Sequence, residues 1–284
     1  MIPFPSPMLA AAPGPIGDGL NDVAAPVPQV AMAFWNLYPT SYSGPCITVE
    51  RLSDNATLDV GFSGGVLNTA AIASFCGASD GVMVTWYNQR SGSVGIYFLT
   101  TGNRPKIYDG ATGQMVTDST GKLGWQMGVA SRYAIPVFDN TGFSSTLGFM
   151  VRFETTDTLA TIIANTPTNS FYVGCIQSGS TATQLCSANG SFSVGTHYRS
   201  GSKLTVANRG DLYTALVTGT PARYFGVVNN GTAYNYTLGV YQGSPTNTIS
   251  MNNGYYSSYA LKYTNALTDG EVALVDAYLA ANLV

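Results

Sequence analysis

Residues 37–92 read LYPTSYSGPCITVERLSDNATLDVGFSGGVLNTAAIASFCGASDGVMVTWYNQRSG, and the alternation of strand and turn signals in this stretch decides the fold. Gly44 and Pro45 turn the chain into residues 47–52, which open with the β-branched Ile47, Thr48 and Val49 and read as a strand. Asp54 and Asn55 follow, and their short polar side chains can bond back to nearby amides in an Asx turn before Gly61 and Phe62 enter the core. Asn68 can cap a short helix through Ala71, Ile72 and Phe75, with Gly77 as its stop. Residues 82–87 then read as a second strand.

The same vocabulary continues outward. Strands are expected at 147–153, 171–176, 192–198, 212–217, 223–228 and 234–241, and Asn229-Asn230-Gly231, which tolerates positive φ, marks a hairpin between the last two. At the C-terminal end Thr268-Asp269-Gly270-Glu271 has capping-box spacing. Val272, Leu274, Val275, Tyr278, Leu279 and Leu283 make an apolar stripe behind it, so a helix is expected over 268–283. Many short strands with few helices describe an all-β sandwich of two antiparallel sheets, expected to fill residues 31–284 as one domain.

Residues 1–30 differ from the rest. They hold seven of the fourteen prolines, a spacing no regular helix or central strand survives, and they carry no positive side chain. They also lack the basic start and unbroken apolar stretch of a secretory signal, and prolines interrupt every long apolar run that could span a membrane. Ile2, Phe4, Met8, Leu9, Ile16 and Leu20 are many apolar groups for a solvated linker, so the segment is expected to be an extended anchoring arm that docks on a neighbouring protein.

Composition narrows the function classes. With 12 basic and 15 acidic side chains, a net charge of −3 and no basic cluster longer than Arg104 with Lys106, a phosphate-backbone binder is not expected, and neither is a membrane partner. Cys46, Cys76, Cys175 and Cys186 lack the close spacing of zinc or redox sites; they are read as free buried thiols, with two disulfides as the alternative and no way to choose a pairing. His197 is the one histidine, which leaves catalytic triads and histidine metal clusters without material. No cofactor and no metal are expected, although calcium held by Asp and backbone oxygens stays open.

The quoted stretch resembles the N-terminal part of the α-L-arabinofuranosidase B catalytic domain, and is similar to a jelly-roll module found in many phage virion proteins. The resemblance rests on Tyr42-Ser43-Gly44-Pro45 leading into Ile47 to Arg51, on Ser53-Asp54-Asn55-Ala56 with Asp59 and Gly61-Phe62, on Leu67-Asn68-Thr69-Ala70-Ala71, and on Trp86-Tyr87-Asn88-Gln89. It covers about a fifth of the chain strongly; Arg104-Pro105-Lys106-Ile107 and residues 145–153 extend it weakly. It implies a concanavalin A-like jelly roll displayed at the virion surface, other virion proteins as partners, and a homo-oligomer, with a trimer the common arrangement.

Two readings of the matched residues stand side by side. In one they are architectural. In the other Asp54, Asn55, Asp59, Trp86, Tyr87, Asn88 and Gln89 line one surface and contact a host glycan, since sugar recognition combines an aromatic face with amide and carboxylate groups. Catalysis is not expected: the segment Ala164-Asn165-Thr166-Pro167-Thr168, the suggested counterpart of the family's nucleophile motif, holds no acid, and Asn88 stands where the family has Asp. The expectation is therefore a non-enzymatic virion structural protein, a capsid decoration or short tail component. A carbohydrate-binding adhesin and an arabinofuranosidase-like glycosidase are the alternatives.

Overall fold

The structure, a computed structural model, describes residues 17–98, 104–117, 121–126, 134–136, 147–148, 160–165, 172–178, 181–185, 195–205, 222–229, 235–242, 255–263 and 265–283. Every strand pairing among them is antiparallel, as the jelly-roll reading requires. The described residues open with a 3-10 turn at Gly19–Asp22, followed by β1 (Val30–Ala33), β2 (Ile47–Arg51), β3 (Ala56–Val60) and the two-residue pair β4 (Phe62–Ser63) and β5 (Val66–Leu67). Helix α1 (Thr69–Cys76) leads to β6 (Gly81–Tyr87), β7 (Val94–Phe98), β8 (Lys106–Asp109), β9 (Gln114–Met115), β10 (Trp125–Gln126) and β11 (Ala134–Pro136). A separate four-stranded sheet runs in sequence order through β12 (Leu147–Gly148), β13 (Ala160–Asn165), β14 (Tyr172–Ser178) and β15 (Thr181–Leu185). The last elements are β16 (Gly195–Arg199), β17 (Ser202–Lys203), β18 (Ala222–Asn229), β19 (Asn235–Gln242), β20 (Tyr255–Tyr263) and helix α2 (Asp269–Asn282).

The main sheet follows the order β11-β7-β6-β8-β10-β20-β19-β18-β16-β17; β2 joins β6 and carries β3, while β1 joins β20. Strands β18 and β19 pair from Ala222↔Gln242 to Asn229↔Asn235, the hairpin expected around Asn229. The expected strand at 212–217 lies outside the described residues, as does most of 147–153.

Strand β1 is covered on both faces, and this organises the core. Ala31, Ala33 and Trp35 join a buried cluster with Leu20, Leu37, Tyr38, Tyr259, Leu261 and Tyr263 and with Val272, Val275 and Leu279 of α2. The alternate residues Met32 and Phe34, fully buried, point the other way; Phe34 meets Trp86 at 5.3 Å between ring centroids, and Trp86 meets Trp125 edge-on at 6.5 Å. Helix α2 thus packs on one side of the β1–β20 pair while the tryptophan stack fills the other.

Both α-helices among the described residues have the ends their sequences specify. Asn68 accepts a bond from the Ala71 amide, and Gly77 closes α1 at φ +58°. Thr268 and Glu271 form the complete capping box of α2. Asp269 receives Tyr198 and Lys203, and Asp276 holds Arg223 through two bonds of 2.8 and 2.9 Å, which ties α2 to β16, β17 and β18. Lys122 donates to the Leu283 carbonyl at the other end, where the helix dipole favours a cation.

Leu20 corrects one expectation. It is 5% exposed and belongs to the chain's own core cluster, its amide bonded to the Leu37 carbonyl, so it is not available to a neighbouring protein. The other arm residues, Ile2, Phe4, Met8, Leu9 and Ile16, lie outside the described residues.

Candidate functional site

The seven candidate residues divide into three groups, and strand geometry does the dividing. Strands β2 and β3 form a hairpin with Ile47 opposite Val60, Thr48 opposite Asp59 and Arg51 opposite Ala56. Strand β6 lies along the other edge of β2, with Ile47 opposite Trp86 and Thr48 opposite Thr85. Side chains alternate across a strand, so consecutive residues of β6 face opposite ways.

Trp86 faces inward and is 1% exposed. It is a core residue and cannot offer a ring face to a sugar, which corrects its place on the expected surface. Asn88 and Gln89 are buried as well, and their bonds say why. Asn88 Oδ1 accepts from the Ala31 and Arg90 amides, and Nδ2 donates to the Gln29 carbonyl. Gln89 Oε1 accepts from the Leu37 amide at 2.7 Å, while Nε2 donates to the Ala33 and Trp35 carbonyls at 2.8 and 3.0 Å. Two side-chain amides therefore supply hydrogen-bond partners for backbone groups from Gln29 to Leu37 that strand pairing leaves over. The expectation that they contact a glycan is corrected on the same ground: their polar atoms are spent inside the chain.

Asp54 and Asn55 make the turn between β2 and β3. Arg51 grips Asp54 through Nε and Nη2 and lies over the Phe75 ring at 4.8 Å. The guanidinium, together with the Ala56 amide, holds the Asp54 carboxyl below its usual range. Asn55 takes φ +58°, a backbone region Asn accepts more readily than most residues. Both are exposed, and both are explained by the turn.

Asp59 and Tyr87 remain, and the structure brings them together through a residue the sequence reading missed. Thr48 Oγ1 donates to Asp59 Oδ1 at 2.6 Å and lies 3.1 Å from the Tyr87 hydroxyl, which in turn donates to Asp59 Oδ1 at 3.4 Å. Asp59 is exposed, Tyr87 and Thr48 are half-buried, and among the described residues Asp59 Oδ2 has no partner. The outer face of β2, β3 and β6 thus presents one free carboxylate oxygen, two hydroxyls and the edge of a tyrosine. Thr48 could have been found from the hairpin alone, since centring the turn between Ser53 and Asp54 puts residue 48 opposite residue 59.

Among the described residues no group of three or more His, Cys, Asp or Glu is placed to hold a metal ion. His197 is 3% exposed, and burial lowers its pKa to about 4, so it is neutral at physiological pH. Cys46 and Cys76 are free and buried, as read from the sequence; burial raises both thiols, Cys46 well above the usual value. The side chain of Cys175 and the whole of Cys186 lie outside the described residues. Glu50 is buried in an ion pair with Arg104, the first residue of the weakly matching Arg104-Pro105-Lys106-Ile107 segment.

No protein-family model matches the chain, and no curated protein matches it. Three solved structures are similar in fold. One is an arabinofuranosidase complexed with arabinofuranosyl-α-1,2-xylobiose, at 13% identity over 93% of this chain and a TM-score of 0.36. A GH54 α-L-arabinofuranosidase mutant soaked with 4-nitrophenyl α-L-arabinofuranoside is 12% identical over 90% of the chain, with a TM-score of 0.33. A GH54 α-L-arabinofuranosidase soaked with a cyclic sulfate inhibitor gives 12%, 90% and 0.32. The chain spans 63–64% of the length of these proteins.

All three of these proteins are enzymes, and the expectation that this chain is not one is withdrawn. Of the two residue-level grounds, the segment Ala164-Asn165-Thr166-Pro167-Thr168 lies in part outside the described residues, and Asn88 is a buried amide bonded to the backbone of Gln29 and Ala31, so its identity bears on packing.

Proposed function

We propose that the chain is a carbohydrate-contacting jelly roll displayed on the surface of a virus particle, with the outer face of β2, β3 and β6 as the contact. The observation that carries the reading is the Asp59–Thr48–Tyr87 cluster, in which an exposed carboxylate is oriented by two hydroxyls beside an aromatic ring. Sugars are recognised by this combination: a carboxylate oxygen accepts from vicinal hydroxyls, and a tyrosine supplies both an apolar ring and a polar tip. Placement on a particle is supported by the motifs of residues 37–92, which are similar to phage virion modules.

A glycan array tests the contact. The wild-type chain should bind at least one glycan, with the signal lost in Tyr87→Ala and Asp59→Ala at unchanged folding; no binding anywhere on the array, or binding indifferent to both changes, would remove the reading. Release of p-nitrophenol from an aryl arabinofuranoside, run alongside, asks whether contact leads to cleavage. Turnover above a heat-treated control would make the chain a hydrolase and move the search to a pair of carboxylates about 5–5.5 Å apart.

A further inference from the structure

The outward side of α2 is unusual for a surface helix. Ala273, Leu274, Ala277, Ala280 and Ala281 are exposed, Leu274 at 47%, and they fall on one stripe with Gly270 at its head. A helix that borders solvent ordinarily carries charge there, and one that is apolar on both sides is ordinarily covered. The three charged side chains of α2 do not relieve this. Asp269 is held by Lys203 and Tyr198, Glu271 closes the capping box, and Asp276 is inside against Arg223. From Val272 to Leu283 the outer face has no ionisable group.

The chain contains a segment of matching chemistry, and the described residues that follow it pack against this helix. Residues 1–16, MIPFPSPMLAAAPGPI, have no charged side chain and hold Ile2, Phe4, Met8, Leu9 and Ile16. They lead into the 3-10 turn Gly19–Asp22, whose Leu20 packs in one cluster with Val272, Val275 and Leu279. Sixteen residues in a proline-stiffened extended form reach about 50 Å, whereas the fourteen residues of α2 rise about 21 Å. Half of the segment is long enough to run the whole helix. Its prolines lack the amide donors that adding to a sheet edge demands, so side-chain surface suits it better than a strand.

We propose that residues 1–16 fold back along the outer face of α2 of the same chain, Phe4, Met8 and Leu9 covering the Ala273, Leu274, Ala277 and Ala281 stripe. A tethered segment whose continuation packs against the same helix is present at millimolar effective concentration, which favours the chain's own helix over a neighbour's.

The test is site-specific photocrosslinking in the full chain. Phe4 is replaced by p-benzoylphenylalanine, and an equal mixture of ¹⁵N-labelled and unlabelled protein is irradiated and mapped by mass spectrometry. Crosslinks to residues 273–281 within single chains are expected. Ala277→Glu, which puts a charge on an exposed position that tolerates any helix former, should lower their yield roughly tenfold by setting an unpaired charge in the contact. Ala111→Glu, on the exposed turn after β8, should leave the yield alone. Crosslinks that join labelled to unlabelled chains, that fall elsewhere in the chain, or that survive Ala277→Glu would overturn the proposal.

Discussion

Replacing Gln89 by Ala tests the structural reading of the tryptophan motif most severely. Three side-chain bonds are lost, to the Leu37 amide and to the Ala33 and Trp35 carbonyls. The Ala33 carbonyl keeps a second donor in the Cys46 thiol at 3.1 Å, so two buried backbone groups are left without a partner. At about 1–3 kcal/mol for each orphaned group, with the lost packing added, Gln89→Ala should cost about 4 kcal/mol. That is a large share of the ~5–15 kcal/mol by which domains are stable, so the variant should sit near its unfolding transition. The assay is urea denaturation followed by tryptophan fluorescence, where a lower midpoint at unchanged slope reports stability alone. Gln89→Glu sharpens it. The carboxylate still accepts from Leu37 but faces two carbonyls, so its pKa should rise in the folded state; the variant should be weak at pH 7 and recover as the pH falls and a proton restores one donor. A loss below about 1 kcal/mol in Gln89→Ala would refute the reasoning.

Other outcomes follow from the contacts of α2 and from burial. Asp276→Asn leaves Arg223 facing a neutral partner in a largely buried bidentate pair and should cost about 3 kcal/mol in the same denaturation assay. Thr268→Ala removes half of the capping box and should cost about 1 kcal/mol, read as a lower melting temperature. His197 gives a pH signature: the unfolded side chain takes a proton near pH 6.5 and the folded one only near pH 4. The unfolded state therefore binds more protons between these values, and stability should fall by up to about 3 kcal/mol as the pH drops through that window. His197→Gln should flatten the slope there. The lowered carboxyls of Asp54, Asp109 and Asp269 act only below the ordinary carboxylate range, so the two effects separate.

Much of the fold was legible because period and punctuation agreed. Residues 47–52 and 82–87, the Asn68 cap, the Asp54-Asn55 turn and the Thr268 capping box each needed only local rules. Strand β1 was not seen because Pro26 and Pro28 dominate its approach, yet Val30–Ala33 is paired to β20, where the prolines no longer matter. Strand β20 was overlooked although Tyr259, Leu261 and Tyr263 alternate inward as a strand should. The site was read less well, for two physical reasons. Trp86 and Tyr87 are neighbours on one strand and so face opposite ways, a rule that already forbade placing both on one surface. Asn88 and Gln89 bond to residues more than fifty positions away, and such long-range satisfaction of backbone groups leaves no local mark in a sequence.

The central claim is that the surface available to a sugar is Asp59, Thr48 and Tyr87, with Trp86 internal. Calorimetric titration of the strongest array glycan against Asp59→Asn and Trp86→Phe tests it directly. Asp59→Asn should weaken binding by about tenfold or more, as loss of a charged hydrogen bond does, while Trp86→Phe lowers stability and leaves affinity unchanged. Affinity that falls with Trp86→Phe and survives Asp59→Asn would contradict the account.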